Sequence, residues 1–240
     1  MKELLTRGIS GVIYIVLLIL SLYSPYAITA LFFVFGIIAL TEFNKLIQLK
    51  GFISLIVFTI LYLIFTNWEF LFKTTKGFEE AAQILLVITI FIKLFLIKDL
   101  FSEKTIPLFT SKRYLLTTFY ITSGFIFLVL VAKCYTPFNS AILLGSFILI
   151  WVNDSFAYIV GKNFGKQKLF PSISPKKTVE GFLGGLFFSC IASYFITNFT
   201  DTLSFTRWLI LAIIVSVFGT IGDLIAVSYT HLTLPTTPYV

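Results

Sequence analysis

Apolar positions along this chain gather into runs long enough to cross, or nearly cross, a bilayer of about 30 Å. They fall at roughly 8–23, 26–42, 52–67, 80–97, 114–132, 140–160, 178–197 and 207–227. In hydrocarbon every backbone amide must be paired internally, so runs of this kind predict helices rather than isolated strands. The first run is short and turns at Ser24-Pro25, and the third is barely long enough to span. The pattern predicts an all-α fold, a polytopic transmembrane helical bundle of about eight helices. No soluble domain, repeat or low-complexity linker breaks it.

Composition supports this reading. Of the 240 residues 58% are hydrophobic and 12% charged, whereas an ordinary soluble domain carries about a quarter charged residues. With a mean hydropathy of +0.99, lipid must cover much of the surface. The net charge of +7 has a simple source in topology, because basic residues collect in cytoplasmic loops; nucleic acid is not an expected partner. With the N-terminus inside, the inner segments hold Lys2, Arg7, Lys45, Lys50, Lys93, Lys98, Lys104, Lys112, Arg113, Lys162, Lys166, Lys168, Lys176 and Lys177. The outer ones hold Lys73, Lys76, Lys133 and Arg207. Flipping the protein would invert that asymmetry, so the N-terminus is expected to be cytoplasmic. Cys134 and Cys190 can build neither a disulfide framework nor a zinc site. The first apolar run passes straight into the second, with no small-residue cleavage site of a secretory signal. We divide the chain into N-terminal transmembrane helices over 1–139, a C-terminal transmembrane region over 140–226 that holds the candidate chemistry described next, and a tail over 227–240.

Two acids interrupt the apolar runs: Asp154 in FILIWVNDSFAYIVG and Asp223 in SVFGTIGDLIAV. An ionised carboxylate at the centre of a membrane helix costs roughly 2.5–3.5 kcal/mol on insertion scales, so each should face a polar cavity and have a partner. The plain alternative is a hydrogen-bonded acid that locks helix packing. Topology puts both acids in the cytoplasmic halves of their helices, where they form a candidate cation site facing a polyanionic substrate. On the same side lies GKNFGKQKLFPSISPKKTVEGFLGG, residues 161–185, with five lysines and no acid before Glu180. Lysines are point-charge donors for phosphate, and a helix N-terminus adds oriented amides. An ordinary positive-inside loop meeting anionic headgroups is the competing reading.

Asn153-Asp154-Ser155, Gly161-Lys162, Gly165-Lys166, the run from Ile173-Ser174-Pro175-Lys176-Lys177-Thr178-Val179-Glu180-Gly181-Phe182 to Gly184-Gly185, and then Gly222-Asp223-Leu224 together resemble the phosphatidate cytidylyltransferase (CDP-diacylglycerol synthase) family. The ordered motifs lie in the C-terminal third; the N-terminal 140 residues match only in being hydrophobic and multi-helical. The resemblance implies transfer of the CMP moiety of CTP to phosphatidic acid, giving CDP-diacylglycerol and pyrophosphate, with Mg2+ required. Such a reaction needs metal clamps and positive charge more than a covalent nucleophile. Asp223 is the first metal-ligand candidate and Asp154 the second. Lys176 and Lys177 are expected to hold phosphate oxygens, with Glu180 orienting a lysine or a metal-bound water. Ser174 and Thr178 are candidate neutral donors, and Lys162 and Lys166 complete the substrate-binding set. The expected partners are CTP, phosphatidic acid and membrane lipids, with a homodimer admitted, in a bacterial cytoplasmic membrane.

The end of the chain departs from the family pattern. A Lys-Arg segment, a Lys-Asp step, a His-Gly-Gly run and a Leu-Asp-Arg-x-Asp motif are expected after Leu224, and the chain instead reads Val227-Ser-Tyr-Thr-His-Leu-Thr-Leu-Pro-Thr to Val240. That string resembles a translated sequencing adapter, which predicts that the natural frame ends near Ala226 and that His231 has no role. The 240-residue chain is then expected to insert in membranes yet form no product, and grafting a relative's segment after Leu224 is expected to restore activity. Two other readings share some features: a CTP-dependent lipid kinase, and an ion-coupled transporter using Asp154 and Asp223.

Overall fold

The computed structural model describes residues 2–100, 113–134 and 138–233. Lys104, Lys112 and tail residues 234–240, which figure in the sequence reading, lie outside them, as do the side chains of Lys2, Arg7, Arg113 and His231. Helix α1 spans Lys2–Ser21, α2 Pro25–Leu46, α3 Ile53–Thr66, α4 Trp68–Phe72 and α5 Phe78–Leu100. Helix α6 runs without a break through Arg113–Leu116, a π-helical stretch Thr117–Thr122, and Ser123–Ala132. Then come α7 (Ala141–Phe164), β1 (Lys168–Phe170), β2 (Ser174–Thr178), α8 (Val179–Phe199) and α9 (Phe205–Thr233).

Every predicted apolar run is a helix. Among the described residues six are long and apolar enough to span: Pro25–Leu46, Phe78–Lys98, Tyr114–Ala132, Ala141–Phe164, Val179–Phe199 and Phe205–Ser228. Gly11–Ser21 and Ile53–Thr66 are shorter apolar helices, and they are the two runs singled out as short. The break at Ser24-Pro25 is real, with Pro25 as the first residue of α2, where its missing N–H is not needed. The chain is a multi-pass membrane protein. The hairpin β1–β2 and the short helix α4 were not expected; the hairpin is the one departure from an all-helical chain among the described residues.

The described residues divide into two compact units, one of residues 1–45, 49–92 and 111–140, the other of 46–48, 93–110 and 141–240. In the first, α2 and α3 meet where Gly36 lies under the Phe58 ring, and a Cβ there would overlap it. Tyr62 Oη donates to the Thr29 carbonyl at 2.8 Å, and Asn44 Nδ2 to Ser54 Oγ at 2.6 Å. Beyond α6, Lys133 Nζ donates to the carbonyl of Thr66, the last residue of α3, at 3.0 Å, covering one of the carbonyls a helix end leaves unpaired. Burial pushes the Lys133 pKa below the usual lysine range. Thr66 and Ser123, inside apolar helices, return their hydroxyls to carbonyls one turn back, those of Tyr62 and Phe119, so each is paired within its own helix.

The second unit packs α7, α8 and α9 around Leu149, Ile196, Trp208 and Ala212. The fully buried Trp208 indole fills the space over Gly145. Phe187, Tyr194, Phe195 and Ile210 stand exposed on its outer faces, the arrangement expected when hydrocarbon is the solvent.

Candidate functional site

The site is built where α7 and α8 come closest. Small residues recur one turn apart on both helices, letting the backbones approach, as membrane helices do where nothing larger than a methyl intervenes. A Cβ on Gly185 would sit 2.7 Å from the Asn153 carbonyl oxygen and 3.1 Å from Ala157 Cβ. One on Gly181 would sit 2.7 Å from the Ala157 carbonyl oxygen. Further along, Ser189 Oγ donates to the Leu149 carbonyl at 3.2 Å. The contact fixes α7, which carries Asp154, against α8, whose first residue follows the lysine-bearing strand.

That strand is half of an antiparallel hairpin pairing Lys168 with Thr178 and Phe170 with Ser174. Pro171 at the second position of the turn fits its fixed φ, and Ile173 N–H closes the turn on the Phe170 carbonyl at 3.2 Å. Thr178 ends the strand and caps α8, its hydroxyl accepting the Gly181 N–H at 3.1 Å, the usual work of a threonine at a helix start. Buried among Gly161, Gly165 and Gly181, the Thr178 side chain is the peg on which strand and helices meet.

A cavity of about 800 Å3 opens beside this peg, inside the range of about 300–1,000 Å3 common for small-molecule sites. Lys162, Lys176, Lys177, Asp154, Asp223 and Thr178 line it, with Tyr158, Phe182, Ile214 and Phe218 forming an apolar wall. Lys177 and Asp223 form an ion pair, joining the hairpin to α9. Asp154 Oδ1 accepts from Asn153 Nδ2 at 3.2 Å, and the Lys162 ammonium stands 5.8 Å from the Tyr158 ring centroid, close enough for a cation–π contact. Three lysines face two carboxylates, so the cavity favours an anion while keeping oxygen donors for a cation.

The predicted residues separate into two groups. Asp154, Asp223, Lys162, Lys176, Lys177 and Thr178 share the cavity, whereas Lys166, Ser174 and Glu180 are not among its lining residues. Glu180 instead accepts the Gln167 N–H with both carboxylate oxygens, at 3.1 and 3.2 Å. Thr178 gives its hydroxyl to the helix cap before any ligand. Sequence reasoning assigned no role to Tyr158, although its position four residues after Asp154 puts the two on one helix face. Among the described residues no group of three or more His, Cys, Asp and Glu gathers. The donor set is two carboxylates, which suits Mg2+, an ion bound through one or two carboxylates with substrate phosphate and water filling the rest.

Comparison with known proteins adds to this geometry. The model of the cytidylyltransferase family matches residues 5–228. A phosphatidate cytidylyltransferase of Bacillus subtilis (strain 168) is 31% identical over 241 residues, covering 94% of this chain and 82% of that protein. Proteins of the same name from Staphylococcus aureus (strain COL) and Staphylococcus haemolyticus (strain JCSC1435) are 45% and 46% identical over 85 residues. Those matches cover 35% of this chain and 32% of each staphylococcal protein, so this chain spans about a third of their length there.

Proposed function

The chain belongs to the cytidylyltransferase family, and we propose that it transfers the CMP moiety of CTP to phosphatidic acid, forming CDP-diacylglycerol and pyrophosphate. The observation that most supports this reading is the single cavity in which Lys162, Lys176 and Lys177 face Asp154 and Asp223 beside an apolar wall. An oxygen of the lipid phosphate attacks the α-phosphorus of CTP. The bond from that phosphorus to the bridging oxygen breaks, and pyrophosphate leaves with the electron pair. A phosphate monoester, with a second pKa near 6, is largely dianionic at neutral pH, so the attack needs no protein base. That suits a cavity lined by lysines and carboxylates without histidine. Lys176 and Lys177 draw phosphate oxygens in, and the apolar wall of Phe182, Ile214 and Phe218 accommodates the glycerolipid end. Asp223 and Asp154 would hold Mg2+, which when bound would supply charge neutralisation on the triphosphate.

We place the cavity on the cytoplasmic side of a bacterial cytoplasmic membrane, because the positive-inside asymmetry puts the hairpin lysines there. Cysteines introduced at 166 or 176 are expected to react with an impermeant reagent from the inside alone, and one at 73 from the outside; the reverse pattern overturns this orientation.

The test of function uses this chain to Leu224 continued by the C-terminal segment of the Bacillus relative, reconstituted with phosphatidic acid. CTP-dependent release of pyrophosphate with CDP-diacylglycerol is expected. Release of CDP in its place would mark a lipid kinase, and ion flux without CTP turnover a transporter; neither has support from the family match. In the same chimera Lys176→Ala and Lys177→Ala are each expected to lower turnover tenfold or more, since a charge-assisted phosphate contact is worth about 1.5–3 kcal/mol. Lys166→Ala, outside the cavity lining, is expected to change it less than threefold. Equal and negligible effects at all three would return these lysines to headgroup contact.

A further inference from the structure

Glu180 looks from its motif like a participant in chemistry, yet its carboxylate is spent on the backbone. Strand β1 begins at Lys168, and the last pair of the ladder is Lys168 with Thr178. One residue outward, the Val179 N–H donates to the Gln167 carbonyl at 2.9 Å, but β2 has by then turned into α8 and offers Gln167 no carbonyl in return. Glu180 fills that place, its two oxygens receiving the Gln167 N–H at 3.1 and 3.2 Å. Both main-chain groups of Gln167, its N–H and its C=O, are therefore held by consecutive residues of the first turn of α8. An acid in that turn also meets the positive end of the helix.

We infer that Glu180 is a positioning residue: it latches the root of the β1–β2 hairpin so that Lys176 and Lys177 stand over the cavity, and it holds neither metal nor proton in the reaction. The hairpin is tied at three places. Thr178 is wedged among Gly161, Gly165 and Gly181, Lys177 pairs with Asp223, and Glu180 closes the root. Loss of the latch frees the segment between Gly165 and Thr178 to swing about Thr178, spreading the lysine ammoniums over many positions and weakening their hold on phosphate. The functional half of this inference rests on the proposed nucleotide-binding role of the two lysines; the latch itself does not.

Length and charge of the side chain separate the latch from a chemical role. Glu180→Gln keeps the reach and an accepting carbonyl oxygen but loses the charge. Glu180→Asp keeps the charge but loses the reach. With the 240-residue chain in detergent, hydrogen exchange at the Gln167 amide and equilibrium dialysis of radiolabelled CTP with Mg2+ are measured together. Glu180→Gln is expected to stay within about threefold of the unsubstituted chain in both. Glu180→Asp and Glu180→Ala are expected to speed Gln167 exchange and weaken CTP binding about tenfold each, the size of a lost hydrogen bond to a charged group. Aspartate outperforming glutamine in CTP binding would overturn the inference, since charge rather than reach would then matter. Unchanged Gln167 exchange in Glu180→Ala would overturn it as well. If the unsubstituted chain bound no CTP while exchange followed the expected order, the latch would stand and the nucleotide reading would fall.

Discussion

Asp223→Asn, in the chimera joined after Leu224, is expected to lower CDP-diacylglycerol formation by about 100- to 1,000-fold, the scale of about 2.7–4 kcal/mol lost from a preorganised transition-state contact. The asparagine is nearly isosteric, so packing is not at issue; Asp223 is 57% exposed and no core depends on it. Its removal leaves Lys177 without its partner and Asp154 as the one carboxylate on the cavity lining. Binding and turnover should therefore move in opposite directions. The freed Lys177 raises the positive charge facing a triphosphate, so CTP binding without divalent ion is expected to hold or tighten. Lys177→Ala reports on the same pair from the other side. It releases the Asp223 carboxylate and is expected to tighten Mg2+ binding to the ligand-free protein while weakening CTP, as read by calorimetry. A Asp223→Asn chimera that keeps more than a tenth of its turnover would remove this residue from the metal site and leave Asp154 as the acid to examine.

The helices were legible because length and continuity of apolar residues are what a bilayer requires, and both are visible without knowing any contact. The two acids were legible for the same reason: a carboxylate in an apolar run is conspicuous, and both line the cavity. The hairpin was not. SPKKT sits immediately before a helix, and local pattern cannot distinguish a helix lead-in from a short edge strand whose partner is set by a proline turn several residues earlier. Hence the Lys177–Asp223 pair, which spans 46 positions of sequence, had no sequence signal, and Glu180 was read for its charge rather than for the amide it receives. Gly184 and Gly185 are adjacent in the motif, and sequence alone does not say what each of them faces. The structure makes Gly185 the tighter of the two against backbone, whereas Gly184 meets the side chain of Val160.

The close contact at Gly185 sets the second large effect. Gly185→Leu is expected to prevent the second unit from folding, and Gly185→Ala to destabilise it by about 1–3 kcal/mol, the range for overpacking a close contact. A Cβ at this position meets the Asn153 carbonyl oxygen at 2.7 Å and Asn153 Oδ1 at 2.8 Å, and a helix backbone cannot rotate away as a side-chain tip can. The helices must separate instead. Separation breaks the Ser189 bond to the Leu149 carbonyl and loosens the Thr178 peg between Gly161 and Gly181. Asp154, carried on α7, then drifts from the lysines carried ahead of α8, so a partly folded Gly185→Ala protein should also bind CTP more weakly. Gly184→Ala should cost a comparable amount, because a Cβ there would sit 2.7 Å from Val160 Cβ, which no rotamer change moves, whereas Gly124→Ala should cost nothing from contact, since nothing lies within 4 Å of its Cβ position. Thermal unfolding in detergent ranks the set. Gly185→Ala melting together with Gly124→Ala would mean that the close approach of α7 and α8 does not hold the site together.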